Sequence, residues 1–391
     1  MIEADVLVVG GGPAGLLAAA CLAKRHRVAL IDQAELGYTS KYWVTTESRL
    51  KEHGLADAVS HSASAILVGT FLGGRAKANG RLAVVDETAL LRVLVNRCRD
   101  LGVLLAGGCR LVGVSWTADR VEAETTCGRY RSRLLIDATG GLSPIASTFR
   151  LHRLHGFYAV RGALLRRVEL RTSDVVLAYV NHLGDPPPIL EVVPTGQDSA
   201  YCAVFTYSRR LIAPETLEDA FRDECSQNPF FAMTTRTEVL RPKAGCIPVG
   251  TTRRKSLPGI LSIGEAGLVQ PPLLGTGFNE ILEHCTGLCA HASSLLANTV
   301  GVPQSPAYRH PLRKRAQDRL QLAITRSLLR GNVETLDRLA RFANELGPET
   351  LYALCSNELT WAQLLLAAVR FPRHLLHSIP LRSDVPPSRA E

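Results

Sequence analysis

The stretch DVLVVGGGPAGLLAAACLAKRHRVALID, residues 5–32, decides the fold. It opens on a short apolar β-branched run, Val6 to Val9, and passes directly into Gly10, Gly12 and Gly15 in GxGxxG spacing. An Ala- and Leu-rich helical run over residues 15–24 follows, then a second apolar strand over 27–31 that ends on Asp32. Gly10 allows the sharp turn, Gly12 lets the backbone approach a pyrophosphate, and Gly15 lets the helix lie close on the strand, with Pro13 and Ala14 inside the same turn. A pyrophosphate would sit on the free amides and positive dipole end of that helix, and Asp32 would bind the ribose hydroxyls of an adenosine. A lone GxGxxG says little. With both strands, the helix and the acid in register, the segment reads as a dinucleotide-binding βαβ unit rather than a structural glycine turn.

The chain has 391 residues, of which 46% are hydrophobic, enough for two or three folded lobes. Its ten cysteines form no CxxC pair, and Cys285 and Cys289 lie one helical turn apart without a partner set, which predicts a reduced, cytoplasmic protein with no metal site. The apolar N-terminus is already used by the nucleotide strand and helix, so no secretory signal is expected, and no apolar run reaches membrane-spanning length. The formal charge of +9 comes from basic residues interspersed with acidic ones, a scattered surface charge rather than a nucleic-acid patch.

Along the chain, residues 38–50 are polar and aromatic and begin a long excursion. Ala89, Leu90, Val93, Leu94 and Cys98 then fall at helical spacing. Short antiparallel strands are expected at 111–114, 121–125 and 130–133, leading into a buried strand that ends on Asp137 and Gly140, where a doubly wound sheet returns to its cofactor. Residues 156–243 change character: runs at 158–161, 175–180, 189–193 and 200–206 predict a separate antiparallel lobe. Tyr201, Phe205 and Tyr207 alternate on one face of its last strand and are candidates to line an apolar pocket. Arg161 and His182 are polar residues of that lobe to be tested. A strand over 260–263 then runs into Gly264 and Glu265, followed by Pro271, Pro272, Gly275, Gly277, Phe278 and Asn279, where a helix begins. Residues 311–376 read as basic amphipathic helices, and 384–391 as a polar Pro/Ser tail.

GGGPAG near the N-terminus, DATGGLS at 137–143 and IGEAGLVQPPLLGTGFN at 263–279 resemble the three cofactor signatures of the FAD-dependent enzymes grouped with the aromatic hydroxylases. Within them the lycopene cyclase family fits best, through SKYWVTTESRLKEHGL at 40–55 and HPLRKRAQDRL at 310–320. The resemblance implies an α/β fold: a Rossmann-like FAD-binding domain of the GR2 type (1–155 and 244–300), an antiparallel-sheet substrate lobe (156–243), C-terminal helices (301–378) and a disordered tail (379–391). It implies that Gly10, Gly12, Pro13, Ala14 and Gly15 bind the pyrophosphate and Asp32 the ribose. Asp137 and Gly140 would support the strand beneath the cofactor. Gly264 and Glu265, the latter where the family usually has Asp, would face the ribityl chain, and Pro272, Gly275, Gly277, Phe278 and Asn279 would lie against the flavin ring. No second GxGxxG exists for an NAD(P)H domain, so NAD(P)H enters only as a candidate external reductant.

In lycopene cyclases the strand after the middle-lobe turn carries a Glu that protonates the polyene. The matching stretch here is YCAVFTY, residues 201–207, without a carboxylate. Glu191 on the neighbouring strand and Glu280 at the helix start are the nearby acids. The sequence therefore favours a redox flavoenzyme, a monooxygenase or a dehydrogenase or oxidase, acting on an apolar small molecule in secondary metabolism. A non-redox, cyclase-like isomerase using reduced FAD is the alternative, and a non-catalytic flavin-binding protein the third reading. The basic cluster Arg313, Lys314, Arg315 and Arg319 makes peripheral membrane contact a further expectation.

Overall fold

The computed structural model describes residues 1–181, 187–227, 230–253, 257–273, 277–298, 302–303 and 310–375. Among the described residues the strands form three sheets. The first is parallel, in the order Ile260–Ser262, Leu134–Asp137, Val6–Val9, Val28–Ile31, Leu104–Ala106. Its three central strands are four-residue runs buried at every position, the pattern of strands covered on both faces. On one face lie the helices Pro13–Leu22, Glu87–Asp100 and Gly277–Asn298. The second of these starts where Asp86 accepts hydrogen bonds from the amides of Thr88 and Ala89, both at 3.0 Å. On the other face a small sheet of Ile2–Glu3, Gly128–Ser132, Val121–Thr125 and Leu111–Trp116 closes the second half of the core.

The third sheet has eight strands, in the order Phe231–Thr252, His152–Leu170, Ser199–Ser208, Ile189–Pro194, Val175–Val180, Val59–Thr70, Arg75–Val85, Val44–Thr45. Its pairs are antiparallel except Val175–Val180 with Val59–Thr70. The sheet is larger than the sequence suggests, because residues 44–45, 59–85 and 244–252, grouped above with the nucleotide domain, belong to it. Two physical reasons hid them. The hairpin at 59–85 faces the core with Ala63, Ala65, Ala76 and Ala78, and alanine is a weak strand former. The 22-residue strand Phe231–Thr252 contains Pro242 and Pro248, which it tolerates because it lies at the edge of the sheet, with one neighbour.

Helices Leu312–Leu328, Val333–Leu346, Pro348–Cys355 and Trp361–Leu375 pack over the 59–85 hairpin and share one apolar cluster with Ala76 and Ala78. The approach is close enough that a side chain on Gly80 would overlap the Tyr352 ring. This packing brings the end of the Pro348–Cys355 helix, one face of the large sheet and the start of the Gly277–Asn298 helix around a cavity.

Candidate functional site

The glycine turn after Val6–Val9 is built by backbone contacts. Gly10 has φ +114°, a conformation open to glycine, and a side chain there would overlap the Ala138 carbonyl of the adjacent strand. A side chain on Gly15 would overlap the carbonyl of Gly10. Gly12 differs: nothing lies within 4 Å of where its Cβ would be, so that position faces open space. The helix Pro13–Leu22 has Pro at its first turn, no side-chain cap and no acid in that turn, which leaves its amide donors and dipole available to an anion. Asp32, at the end of the second strand, accepts hydrogen bonds from the Gly11 amide and, at 2.7 Å, from the Ala34 amide. The shape and charge of this cradle fit a dinucleotide diphosphate.

The second signature turns inward. Asp137 has no exposure and accepts from the hydroxyls of Thr139 and Ser143, each at 2.6 Å, and from the Thr139 amide at 3.2 Å. Burial pushes its carboxyl up, and the Ser143 and Thr139 bonds oppose that. Asp137 fastens its own loop and so positions Gly140, which has φ +86°. In the third signature Gly264 has φ +56° and sits against Ala14, while Glu265 is ion-paired with Lys41 and accepts from the Gly141 amide at 3.1 Å. The Pro272 carbonyl is buried and accepts from Tyr158 and Thr325. Phe278 stacks on Trp43 with ring centroids 5.3 Å apart, and Thr45 donates to the Asn279 side-chain oxygen. Gly277 starts the helix beside Gln270; Gly275 and His182 lie outside the described residues.

Glu265, Gly277, Phe278 and Asn279 form one wall of a cavity of about 240 Å³. The opposite wall is the large sheet, with Val68, Val160, Val176 and Phe205, and Tyr207 and Leu273 close one end. Glu191 projects into this apolar space and accepts a hydrogen bond from the Tyr42 hydroxyl. Burial pushes the Glu191 carboxyl up, which favours its protonated form, with the Tyr42 bond a smaller opposing effect. Tyr42 in turn stacks on Tyr201, with ring centroids 4.8 Å apart and planes 12° from parallel. Tyr201 donates to Glu87, which also accepts from Lys243 at 2.8 Å and Arg241 at 2.9 Å. Burial raises the Glu87 carboxyl, but the bonds from Lys243 and Tyr201 outweigh it and hold the group below its ordinary range.

Of the three aromatic residues expected to line a pocket, Phe205 and Tyr207 do, and Tyr201 stands behind Tyr42 as its support. The two acids separate as well. Glu280 is fully buried outside this cavity, bound by Lys314 at 2.8 Å, His284 at 3.2 Å and the Asn357 amide. Burial alone would raise its carboxyl, yet His284 and Lys314 hold it at about 2. It is an ionised carboxylate at neutral pH and no proton donor, which removes it as a candidate acid. Arg161 is spent on an ion pair with Glu218 at 2.5 Å. Sequence reasoning missed the lining roles of Lys41, Tyr42, Trp43 and Thr45, although their polar-aromatic run marked the segment.

A family model described as lycopene cyclase protein matches residues 5–379. The chain belongs to the lycopene cyclase family. At the position of that family's expected acid, this member has Val204, fully buried on the far side of the sheet, and Phe205 in the cavity. A carboxyl on the sheet side of the cavity comes from the adjacent strand, where Glu191 pairs with Ala203. Among solved structures, this family member is similar to a geranylgeranyl bacteriochlorophyll reductase-like protein from Thermoplasma acidophilum, with 16% identity, TM-score 0.76 and coverage of 96% of this chain and 98% of that one. It is similar to the flavin-dependent brominase Bmp2, with 13% identity, TM-score 0.72 and coverage of 96% and 100%. It is also similar to the p-nitrophenol 4-monooxygenase PnpA from Pseudomonas putida DLL-E4, with 15% identity, TM-score 0.61 and coverage of 96% and 99%. These likenesses establish the fold, that of the Rossmann-like FAD-dependent flavoproteins.

Proposed function

We propose that this protein is an FAD-dependent oxidoreductase acting on an apolar small molecule. The observation that carries the reading is the juxtaposition of an apolar cavity with the loop and helix start at Glu265, Gly277, Phe278 and Asn279, which meet the glycine cradle of the first strand through Gly264 and Ala14. Gly12 and the first-turn amides of Pro13–Leu22 hold the diphosphate, and Asp32 binds the ribose. FAD, when bound, supplies hydride transfer or oxygen activation, chemistry no side chain offers. The chain's own residues do the rest. The sheet face and the Trp43–Phe278 stack exclude water, and Glu191, whose carboxyl burial pushes up and which accepts from Tyr42, is the group placed to hold a proton at the cavity. NADH or NADPH is the candidate external reductant under this reading.

Glu191 also favours a second reading, non-redox isomerisation of an unsaturated apolar substrate by proton transfer from that carboxyl. One experiment separates the two. The FAD-loaded protein is reduced anaerobically with NADH or NADPH, incubated with lycopene, and then exposed to oxygen. Product formed before oxygen, with no net oxidation of the cofactor and lost in Glu191→Gln, supports isomerisation. Rapid reduction by the nicotinamide and substrate-dependent reoxidation support the oxidoreductase. A protein that takes up no FAD overturns both.

A further inference from the structure

Helix Trp361–Leu375 buries Leu364, Ala367 and Phe371 in the cluster over the 59–85 hairpin. Its other face is exposed. Every exposed side chain described on this helix is apolar: Trp361, Ala362, Leu365, Leu366, Ala368, Val369 and Pro372. Trp361 keeps 53% of its surface in solvent, and Leu365 and Val369 keep 64% each. The helix sequence contains no Asp or Glu. A helix facing water on one side normally carries its charges there, so this is a reversed pattern, and contiguous apolar exposure of this kind marks an interaction surface.

What surrounds the stripe identifies its partner. The neighbouring helix Leu312–Leu328 packs against it and exposes Leu312, Arg315 and Arg319 on one face. Arg313 donates to the Leu359 carbonyl at 3.4 Å and ties that helix to the start of the stripe. Arg370 lies on the apolar helix itself, and Asp318, the acid in the first half of the neighbour, is spent on Lys314 at 2.9 Å. Apolar side chains led by a Trp and flanked by arginines compose a helix that lies in the plane of a bilayer interface. A second copy of this chain is the poorer occupant. The chain carries +9, so two copies would oppose like charge, and seven side chains fall well below the roughly 20–30 residues a side of a stable interface.

We propose that the exposed face of Trp361–Leu375, rimmed by Arg313, Arg315 and Arg319, docks this protein on an anionic lipid surface. It lies on the surface and does not span it, since no described helix is long and apolar enough to cross. Cys355 and Ser356, just ahead of this helix in sequence, line the cavity. The proposal is independent of the reaction.

The test is flotation of the full chain with phosphatidylglycerol–phosphatidylcholine vesicles at low and high salt, beside pure phosphatidylcholine vesicles. Binding is expected on the anionic vesicles at low salt, weakened at least tenfold by high salt, by omission of phosphatidylglycerol, or by the double variant Leu365→Glu with Val369→Glu. A blue shift of tryptophan emission on vesicle addition, missing in Trp361→Phe, is the second expected result. Absence of flotation on anionic vesicles at low salt overturns the proposal, as does undiminished flotation of the double variant. So does sedimentation of the wild type as a dimer that the double variant splits, since a second copy then covers the face.

Discussion

Replacing Lys243 by Met tests the ionic support behind the cavity. The Lys243 ammonium is 1% exposed and donates to Glu87 at 2.8 Å and to the Lys41 carbonyl at 3.1 Å. The substitution keeps the aliphatic volume and leaves the Glu87 carboxylate, 2% exposed, with Tyr201 and Arg241 alone. Removing one partner of a buried pair costs roughly 3–5 kcal/mol. Because Arg241 remains within 2.9 Å, the lower end, about 3 kcal/mol at pH 7, is expected. Adding Glu87→Gln removes the stranded charge, so the double variant should be more stable than Lys243→Met alone by about 2 kcal/mol, and the two substitutions should be non-additive, as those of contacting residues are. The pH dependence has a definite sign. Glu87 is held below its ordinary range in the fold, so its contribution is present above an unfolded value of about 4.3 and is lost as pH falls through the folded value. The penalty of Lys243→Met should therefore shrink on acidification. Urea unfolding of the wild type, Lys243→Met, Glu87→Gln and the double variant at pH 7 and pH 4 gives all of these numbers. A single-variant cost below 1 kcal/mol at pH 7, or additive behaviour of the pair, refutes the assignment of Lys243 and Glu87 as a coupled buried support.

Gly12→Val should leave the melting temperature of the cofactor-free chain nearly unchanged, since nothing lies within 4 Å of its Cβ, and should empty the cradle of FAD; retention of stoichiometric flavin absorbance refutes the diphosphate site. Gly80→Ala should destabilise by about 1–3 kcal/mol through overlap with Tyr352, and Tyr352→Leu in the same chain should recover part of that, both read by thermal unfolding. Glu191→Gln should leave FAD content intact and lower turnover about 10²–10⁴-fold if the carboxyl donates a proton. Because the folded carboxyl is raised, its wild-type activity should fall as pH rises through that value, and the wild type should lose stability over the same rise; a Glu191→Gln variant that keeps the wild-type stability slope shows that Glu191 is not the titrating group.

The nucleotide half was readable because its constraints are local. Gly15, packed on the Gly10 carbonyl, and Asp32, which ends the second strand and accepts from the Gly11 amide, lie within one βαβ unit, so spacing alone places them. The cavity was readable only in fragments. Alternation puts Phe205 and Tyr207 on one strand face, but Tyr42 reaches Glu191 across 149 positions and Lys243 reaches Glu87 across 156, and strand order, not spacing, brings them together. Glu280 looked like a candidate acid from its place beside Asn279. Its identity as a fixed anion depends on Lys314, supplied by a different helix. The 231–252 strand escaped because its prolines argue against a central strand and are harmless at an edge.

The strand order of the parallel sheet also dictates when the protein can be finished. Val6–Val9 leaves the ribosome first, but its neighbour Leu134–Asp137 lies far along the chain, and the outer strand Ile260–Ser262 follows more than a hundred residues later. The Gly10 turn is shaped against Ala138, so it has no mould while the early chain is alone. At roughly 5–20 residues per second, the N-terminal strand waits on the order of 12–50 s for the sheet edge to arrive. Parallel pairing at such separations is slow, and the waiting strands are apolar on both faces. A nascent chain stalled before Ile260 should thus be a client of chaperones and unable to retain the dinucleotide, however complete its glycine motif.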